Sequence, residues 1–356
     1  MSCWFRWAFG WVPRCVRAAA GPSRLWLACS VAAGVACARH APSEDDLGHK
    51  DAASAAASAA SVASAAVPAS AAASAEPPGL GRVNYRGVWG AAHDNVWAVG
   101  DKGTIAHFDG QAWSPSPSGT SENLTGVHGT APNEIWASGD KGTIVRWDGK
   151  SWSKVSEIAD SVLLNVWASG PNDVWAVGTL GGGEAGCVRH WNGTKWDQVH
   201  VPGSTSVWDI AGTGPHDVWM AGASERGDGL LLRTVDGAKF DAVGYKGPAL
   251  RSVWPAKPKD VWVVPYQGSV QRWDGTTWTS IDTPGKRMLR IDGTGPDDVW
   301  IVGGNGLSLH YSGGKWTTQE TGSKDILWGL WTSKKDTWLA GNGGTLLRWS
   351  GSAWTP

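Results

Sequence analysis

Residues 94–100 read DNVWAVG, and the phrase returns as NEIWASG (133–139), NDVWAVG (172–178), HDVWMAG (216–222), KDVWVVP (259–265), DDVWIVG (297–303) and KDTWLAG (335–341). Its central tryptophans, Trp97, Trp136, Trp175, Trp219, Trp262, Trp300 and Trp338, are spaced by 39, 39, 44, 43, 38 and 38 residues. Self-similarity at a period of about 40 residues marks a repeat architecture, in which each unit buries its apolar face only against a neighbour.

Eleven residues after each of these indoles stands another large side chain, in Phe108, Trp147, Trp273, Tyr311 and Trp349, and sixteen after stand Trp113, Trp152, Trp278, Trp316 and Trp354. In the third and fourth repeats the offsets become 16 and 21, giving Trp191 with Trp196 and Val235 with Phe240, which reads as one shared five-residue insertion. Between these positions lie Asp109-Gly110, Asp148-Gly149, Asn192-Gly193, Asp236-Gly237 and Asp274-Gly275, the strongest short hairpin signal. Each repeat therefore reads as four short strands: a (as in 87–89), b (the tryptophan phrase), c (as in 143–147) and d (from about Trp152). Seven four-stranded antiparallel units predict an all-β, seven-bladed β-propeller over residues 80–356. Strand d of the last repeat stops short at Pro356, so residues 80–84 are candidates to complete the last sheet.

The chain holds 27 Trp, which invites a sugar- or base-stacking surface. Most of them sit at recurrent positions instead, including a strand-a set of Trp89, Trp167, Trp208, Trp254 and Trp331, so blade-to-blade packing is their expected role. Only Trp328 falls outside the pattern beyond the N-terminal residues. Two polar positions recur as well. Glu134, Asp173, Asp217, Asp260, Asp298 and Asp336, with Asn95, stand two before the strand-b Trp, and His107, Arg146, His190, Arg272, His310 and Arg348, with Thr234, stand one before the strand-c aromatic. On antiparallel neighbours these groups should meet as structural ion pairs.

Residues 1–37 read as a signal peptide: Arg6, Arg14, Arg17 and Arg24 precede the apolar run 25–37, and the first acidic residue is Glu44. The run ends Gly34-Val35-Ala36-Cys37, which resembles a bacterial lipoprotein box with Cys37 as the acylated residue. That resemblance, with Ala38 following, implies outer-membrane sorting, and otherwise a periplasmic or cell-surface protein. Residues 38–79, rich in Ala and Ser, read as a flexible linker.

A net charge of −1 removes the electrostatic footprint of a nucleic-acid binder. Four of five cysteines fall within residues 1–37, leaving Cys187 alone, and no Cys/His ligand spacing or catalytic motif is found, so neither metal nor cofactor is expected.

The repeats resemble the Asp-box (BNR-type) propellers, a group that includes sialidases and the photosystem II assembly factor family, and more loosely the WD-repeat propellers. The resemblance rests on phrases such as Asp148-Gly149-Lys150-Ser151-Trp152, one residue tighter than the Asp-box, and implies that the b–c and d–a loops open on one ligand face around a channel lined by strand a. The inserted loops 179–186 and 223–229 bring Glu184, Glu225, Arg226 and Asp228 to that face; Arg86, Arg251 and Arg290 begin strands a, and His128 and Asp292 replace the usual strand-a Trp. These nine are the candidate ligand-binding residues. A sialidase site would need three convergent arginines and a Tyr–Glu pair, and none of Tyr85, Tyr245, Tyr266 and Tyr311 stands beside a suitable carboxylate. The expected function is a non-catalytic binding or assembly scaffold at the cell envelope, monomeric, membrane-associated through its lipid anchor alone, with a protein, peptide or glycan partner. The alternative is a glycan-processing enzyme, a glycoside hydrolase or sialidase-like protein, using the same face.

Overall fold

The computed structural model describes residues 80–356 apart from 182, 184, 202, 235 and 238. The expected signal peptide (1–37), Cys37, the expected linker (38–79) and Glu184 lie outside the described residues. Seven four-stranded antiparallel sheets follow one another in sequence order, each a simple meander. Their strands a are Tyr85–Ala92, Leu124–Ala131, Ser161–Gly170, Ser204–Gly214, Leu250–Lys257, Met288–Gly295 and Leu327–Thr332. Neighbouring strands a touch one another all the way round, including the last against the first.

The indole repeat explains why the sheets stack. Each strand-b Trp is almost fully buried and packs against a strand-c or strand-d aromatic of the next blade, most against both. Trp97 meets Trp147 and Trp152, Trp136 meets Trp191 and Trp196, Trp175 meets Phe240, Trp219 meets Trp273, Trp262 meets Tyr311 and Trp316, and Trp300 meets Trp349 and Trp354. The cycle closes when Trp338 of the last blade meets Phe108 and Trp113 of the first, at 4.9 and 5.4 Å.

The last sheet is built from its own four strands, ending in Trp354–Thr355. Residues 80–84 do not complete it. Leu80 instead joins the apolar cluster between the two blades, and the Val83 carbonyl accepts a hydrogen bond from the Gly344 amide.

The recurrent polar pair is a fixed structural unit. In blade 2, Glu134 accepts from the Trp136 indole at 2.7 Å and from Arg146 Nε at 2.9 Å, and the guanidinium lies over that indole at 5.1 Å. Where histidine replaces arginine, it bonds the residue at the acid's position (Asn95 in blade 1) and stacks on the indole, as His190 does on Trp175 at 3.9 Å. In blade 4 the partner is Arg233, which faces Trp219 and bonds Asp217 at 2.8 Å, not Thr234. The insertion before strand c there is one residue shorter than in blade 3, which shifts the whole strand by one. Both insertions lengthen hairpins, pairing Leu180 with Ala185 and Ala223 with Gly229. On the opposite face the c–d turns are locked by Asp109, Asp148, Asn192 and Asp274, each accepting two backbone amides. The glycine that follows each has φ between 91 and 99°, which a side chain disfavours.

Candidate functional site

Every strand a carries a β-bulge one turn of the pleat before its pairing with the strand-b Trp, and the bulged residues are Arg86, Thr125, Leu164, Trp208, Arg251, Leu289 and Trp328. A bulge re-aims a side chain out of the alternating pattern. Arg86, Thr125 and Trp328 line one axial cavity together with residues from the next two positions of strand a, so the bulged ring forms the mouth of the channel. All seven residues are half-buried. Trp208 belongs to this ring and not to the strand-a indole set, because the residue facing Trp219 is Ala211.

Arg251 lies between the Trp208 and Tyr266 rings, with its Cζ 4.9 Å from each. Its Nε is buried without a hydrogen-bond partner among the described residues, and burial pulls its pKa down from the ordinary value. Stacking thus fixes a guanidinium that no described carboxylate neutralises. The Trp328 indole donates to Asn342 Oδ1 at 2.9 Å, which sets its ring at the mouth.

One position deeper, strands a present Gly87, Gly126, Asn165, Asp209, Ser252, Arg290 and Gly329. Asp209, only 2% exposed, is the hub of this layer. It accepts from Asn165 Nδ2 (2.6 Å), the Ile210 amide (2.9 Å), the Val253 amide (3.0 Å), Arg290 Nη1 (2.7 Å) and the Ser252 hydroxyl, tying four blades together across the axis. A carboxylate in so little water is tolerable because its lone pairs are taken by donors, one of them charged. Asp209 was not among the sequence candidates. The available signal was an acid at a position where three other repeats carry glycine.

The candidate residues separate into groups. Arg86 and Arg290 line one cavity at the mouth, while Arg251, on the same bulged ring, is stacked between Trp208 and Tyr266. Arg86 Nε bonds Asp101 at 2.5 Å, and with Asn84 it holds that carboxyl below its usual range despite the opposing effect of burial. Glu225, Arg226 and Asp228 sit off the axis on the blade-4 hairpin, whose Asp228 bridges to Pro248.

His128 and Asp292 lie further along strand a, opposite Trp136 and Trp300, and do not line the mouth cavity. A strand-a indole normally lies on the next blade: a Cβ placed on Gly90, Gly129, Gly212 or Gly293 would fall within 2.8 Å of Trp331, Trp89, Trp167 or Trp254. Where the indole is missing, the facing residue is not glycine. His128 Nδ1 accepts from the Ala168 amide at 3.1 Å and Asp292 Oδ2 from the Thr332 amide at 2.8 Å, while Ala211, which offers no acceptor, is followed by Pro255, which has no amide hydrogen. The two polar departures from the repeat thus do the indole's job by bonding the next strand. Burial pushes His128 down to about 3, helped by Arg290, and Asp292 up to about 6.

Among the described residues no group of three or more His, Cys, Asp or Glu could hold a metal ion. No protein-family model matches the chain, and no curated protein sequence does. Solved structures do. The chain is similar to YCF48 bound to D1 peptide (TM-score 0.62, 18% identity, covering 77% of this chain and 93% of that one). It is also similar to YCF48 from Cyanidioschyzon merolae (0.61, 16%, 76% and 97%) and to the WD40 β-propeller domain of Doa1 (0.61, 14%, 77% and 95%). At these identities the likeness is one of fold, a seven-bladed propeller of four-stranded blades.

Proposed function

We propose that the protein is a non-catalytic platform that takes a peptide or an extended protein segment on its b–c/d–a face, at the channel mouth. The observation that carries this reading is the bulged ring. The strand-b indoles are consumed between blades, whereas Trp208 and Trp328 stand half-buried at the mouth beside Leu164, Leu289 and the stacked Arg251. Rigid aromatic anchors with one fixed cation are what a peptide-binding hot spot requires. A neighbour in fold carries a bound peptide, which supports the same class of partner. Asp101 and Asp209 beside the mouth are committed to arginines, which disfavours the glycoside hydrolase alternative, where two carboxyls must be free to exchange protons.

The protein works at the bacterial cell envelope, exported by residues 1–37, anchored through acylated Cys37 and held off the membrane by residues 38–79. The Asp-capped c–d turns support kinship with the Asp-box propellers.

The test probes peptide and glycan arrays with the full-length chain and with Trp328→Ala/Arg251→Gln. Peptide spots that bind the first and not the second are expected. Glycan spots alone, or identical peptide patterns for both, would overturn the reading. For the anchor, palmitate labelling should vanish in Cys37→Ser, with release from the membrane fraction; persistence of both would remove it.

A further inference from the structure

We propose that the axial mouth is a carboxylate-binding subsite in which Arg86 and Arg290 grip one carboxyl group of the bound segment. This rests on the mouth being the binding face. Arg86, from blade 1, and Arg290, from blade 6, line a single cavity of about 20 Å³ whose other walls include Gly87, Gly126 and the Trp328 ring. That space holds one or two water-sized groups, enough for the head of a carboxylate and too little for a phosphoryl group with its three outward oxygens.

Each arginine spends one nitrogen on a carboxylate of the chain, Arg86 Nε on Asp101 at 2.5 Å and Arg290 Nη1 on Asp209 at 2.7 Å. Their remaining guanidinium nitrogens have no partner among the described residues, so paired N–H donors are left over where the two side chains share a wall. Those anchoring acids orient the arginines without competing for a ligand, Asp209 least of all, since donors from four blades already fill its lone pairs. Asn165 is held in place by bonds of its own: its Oδ1 accepts from the Val166 amide and its Nδ2 donates to Asp209. The cavity is thus rich in unpaired donors, and a planar two-oxygen group facing guanidinium edges is the ligand such a fork binds best. The backbone walls matter too. A Cβ on Gly126 would fall 2.7 Å from Asn165 Cα, so side chains cannot be added there to fill the space. Arg251, on the same bulged ring, adds a positive charge with no described carboxylate of its own.

The experiment titrates the full-length chain, labelled with ¹⁵N-arginine, with sodium acetate at constant ionic strength, and follows the guanidinium N–H signals. Acetamide, of the same shape without charge, and sodium chloride, a spherical anion, are the parallel arms. Acetate should shift the Arg86 and Arg290 signals saturably while neither of the others does. Arg86→Gln should weaken acetate binding at least tenfold, Arg86→Lys less than that because charge remains without the fork, and Arg226→Gln on the off-axis hairpin not at all. Absence of a saturable shift, an equal response to acetamide or chloride, or unchanged acetate binding in both Arg86 variants would overturn the proposal. Because acetate reports on this pair alone, its failure leaves the array result standing, and failure of the arrays with acetate binding intact would condemn only the wider reading.

Discussion

Replacing Gly90 by alanine in two backgrounds tests the reciprocal fit of strand-a indole and facing glycine. In the native chain a Cβ at residue 90 would sit 2.6 Å from Cζ3 of Trp331, with the three nearest heavy atoms all on that ring. Ordinary carbon contact is about 3.5–4.0 Å, so the ring must retreat by about 1 Å. Forced overpacking of this kind costs about 1–3 kcal/mol. Trp331→Ala alone removes a half-buried ring that packs on two apolar clusters, and about 3 kcal/mol is expected, the low end for aromatic truncation. Once the ring is gone, so are the three contacts nearest the new methyl. Residue 90 has no positive φ, so its backbone puts no further strain on alanine. Gly90→Ala should therefore cost about 1–3 kcal/mol less in the Trp331→Ala background than in the native chain. Urea unfolding followed by far-UV circular dichroism measures it without relying on indole fluorescence. Gly295→Ala, whose Cβ meets nothing within 4 Å, is the clash-free control and should not lose stability. Additive single effects, within about 0.5 kcal/mol, would refute the indole-on-glycine account.

Ring closure depends on Trp338 as each other interface depends on its indole, so Trp338→Ala and Trp136→Ala should each lose about 3–5 kcal/mol in urea unfolding; a loss below 1 kcal/mol for Trp338 alone would mean the ring closes by other contacts. Asp292 has its folded pKa raised from 3.8 to about 6, so it binds its proton more tightly folded than unfolded, and its charge costs stability that grows as pH rises from 3.8 to 6. Asp292→Asn, which still offers an oxygen to the Thr332 amide, should gain up to about 3 kcal/mol over the native chain at pH 7 and nothing at pH 3.5; a gain independent of pH would show that charge is not the cause. His128 is lowered from 6.5 to about 3, so its stability contribution is complete above pH 6.5 and is lost as pH falls toward 3. His128→Asn should flatten that acid limb by about 3 kcal/mol at pH 4, read from urea midpoints across the range, and an unchanged limb would place the acid sensitivity elsewhere.

The blade count was legible because an indole at a near-constant interval can satisfy only equivalent neighbours, and the Asp-Gly turns mark where each outer hairpin folds. The paired acid and base on strands b and c were legible too, since antiparallel register alone brings Glu134 to Arg146. What escaped was any feature one residue wide. A bulge leaves no compositional mark, yet it moves Trp208 out of the indole set and into the mouth. One residue fewer in the blade-4 insertion likewise exchanges Thr234 for Arg233. His128 and Asp292 stand out in the sequence as breaks in the repeat, the mark of a ligand candidate. The signal that they hold the next blade lay one repeat further on, where Ala168 and Thr332 replace the glycine that every strand-a indole requires. Asp209 stood out only as an acid where three repeats carry glycine, and its role comes from donors on three other strands.

A closed ring places unequal demands on its residues, and that inequality locates where specificity can reside. Each strand-b indole has a partner blade, so changing it opens an interface that six other contacts cannot replace. Packing therefore commits these positions all round the circle. The bulged ring and the layer beneath it differ from blade to blade, three glycines on one side of the axis against Asn165, Asp209, Ser252 and Arg290 on the other. The half-buried mouth side chains contribute little to blade packing, so Trp328→Ala or Arg86→Gln should leave the ring intact while altering what the mouth can hold. Asp209 is the exception within that layer. Removing it would strand Arg290 and two backbone amides without their acceptor, at a cost of about 3–5 kcal/mol. A change in affinity on its removal would report on the frame around the mouth and not on the ligand contact itself.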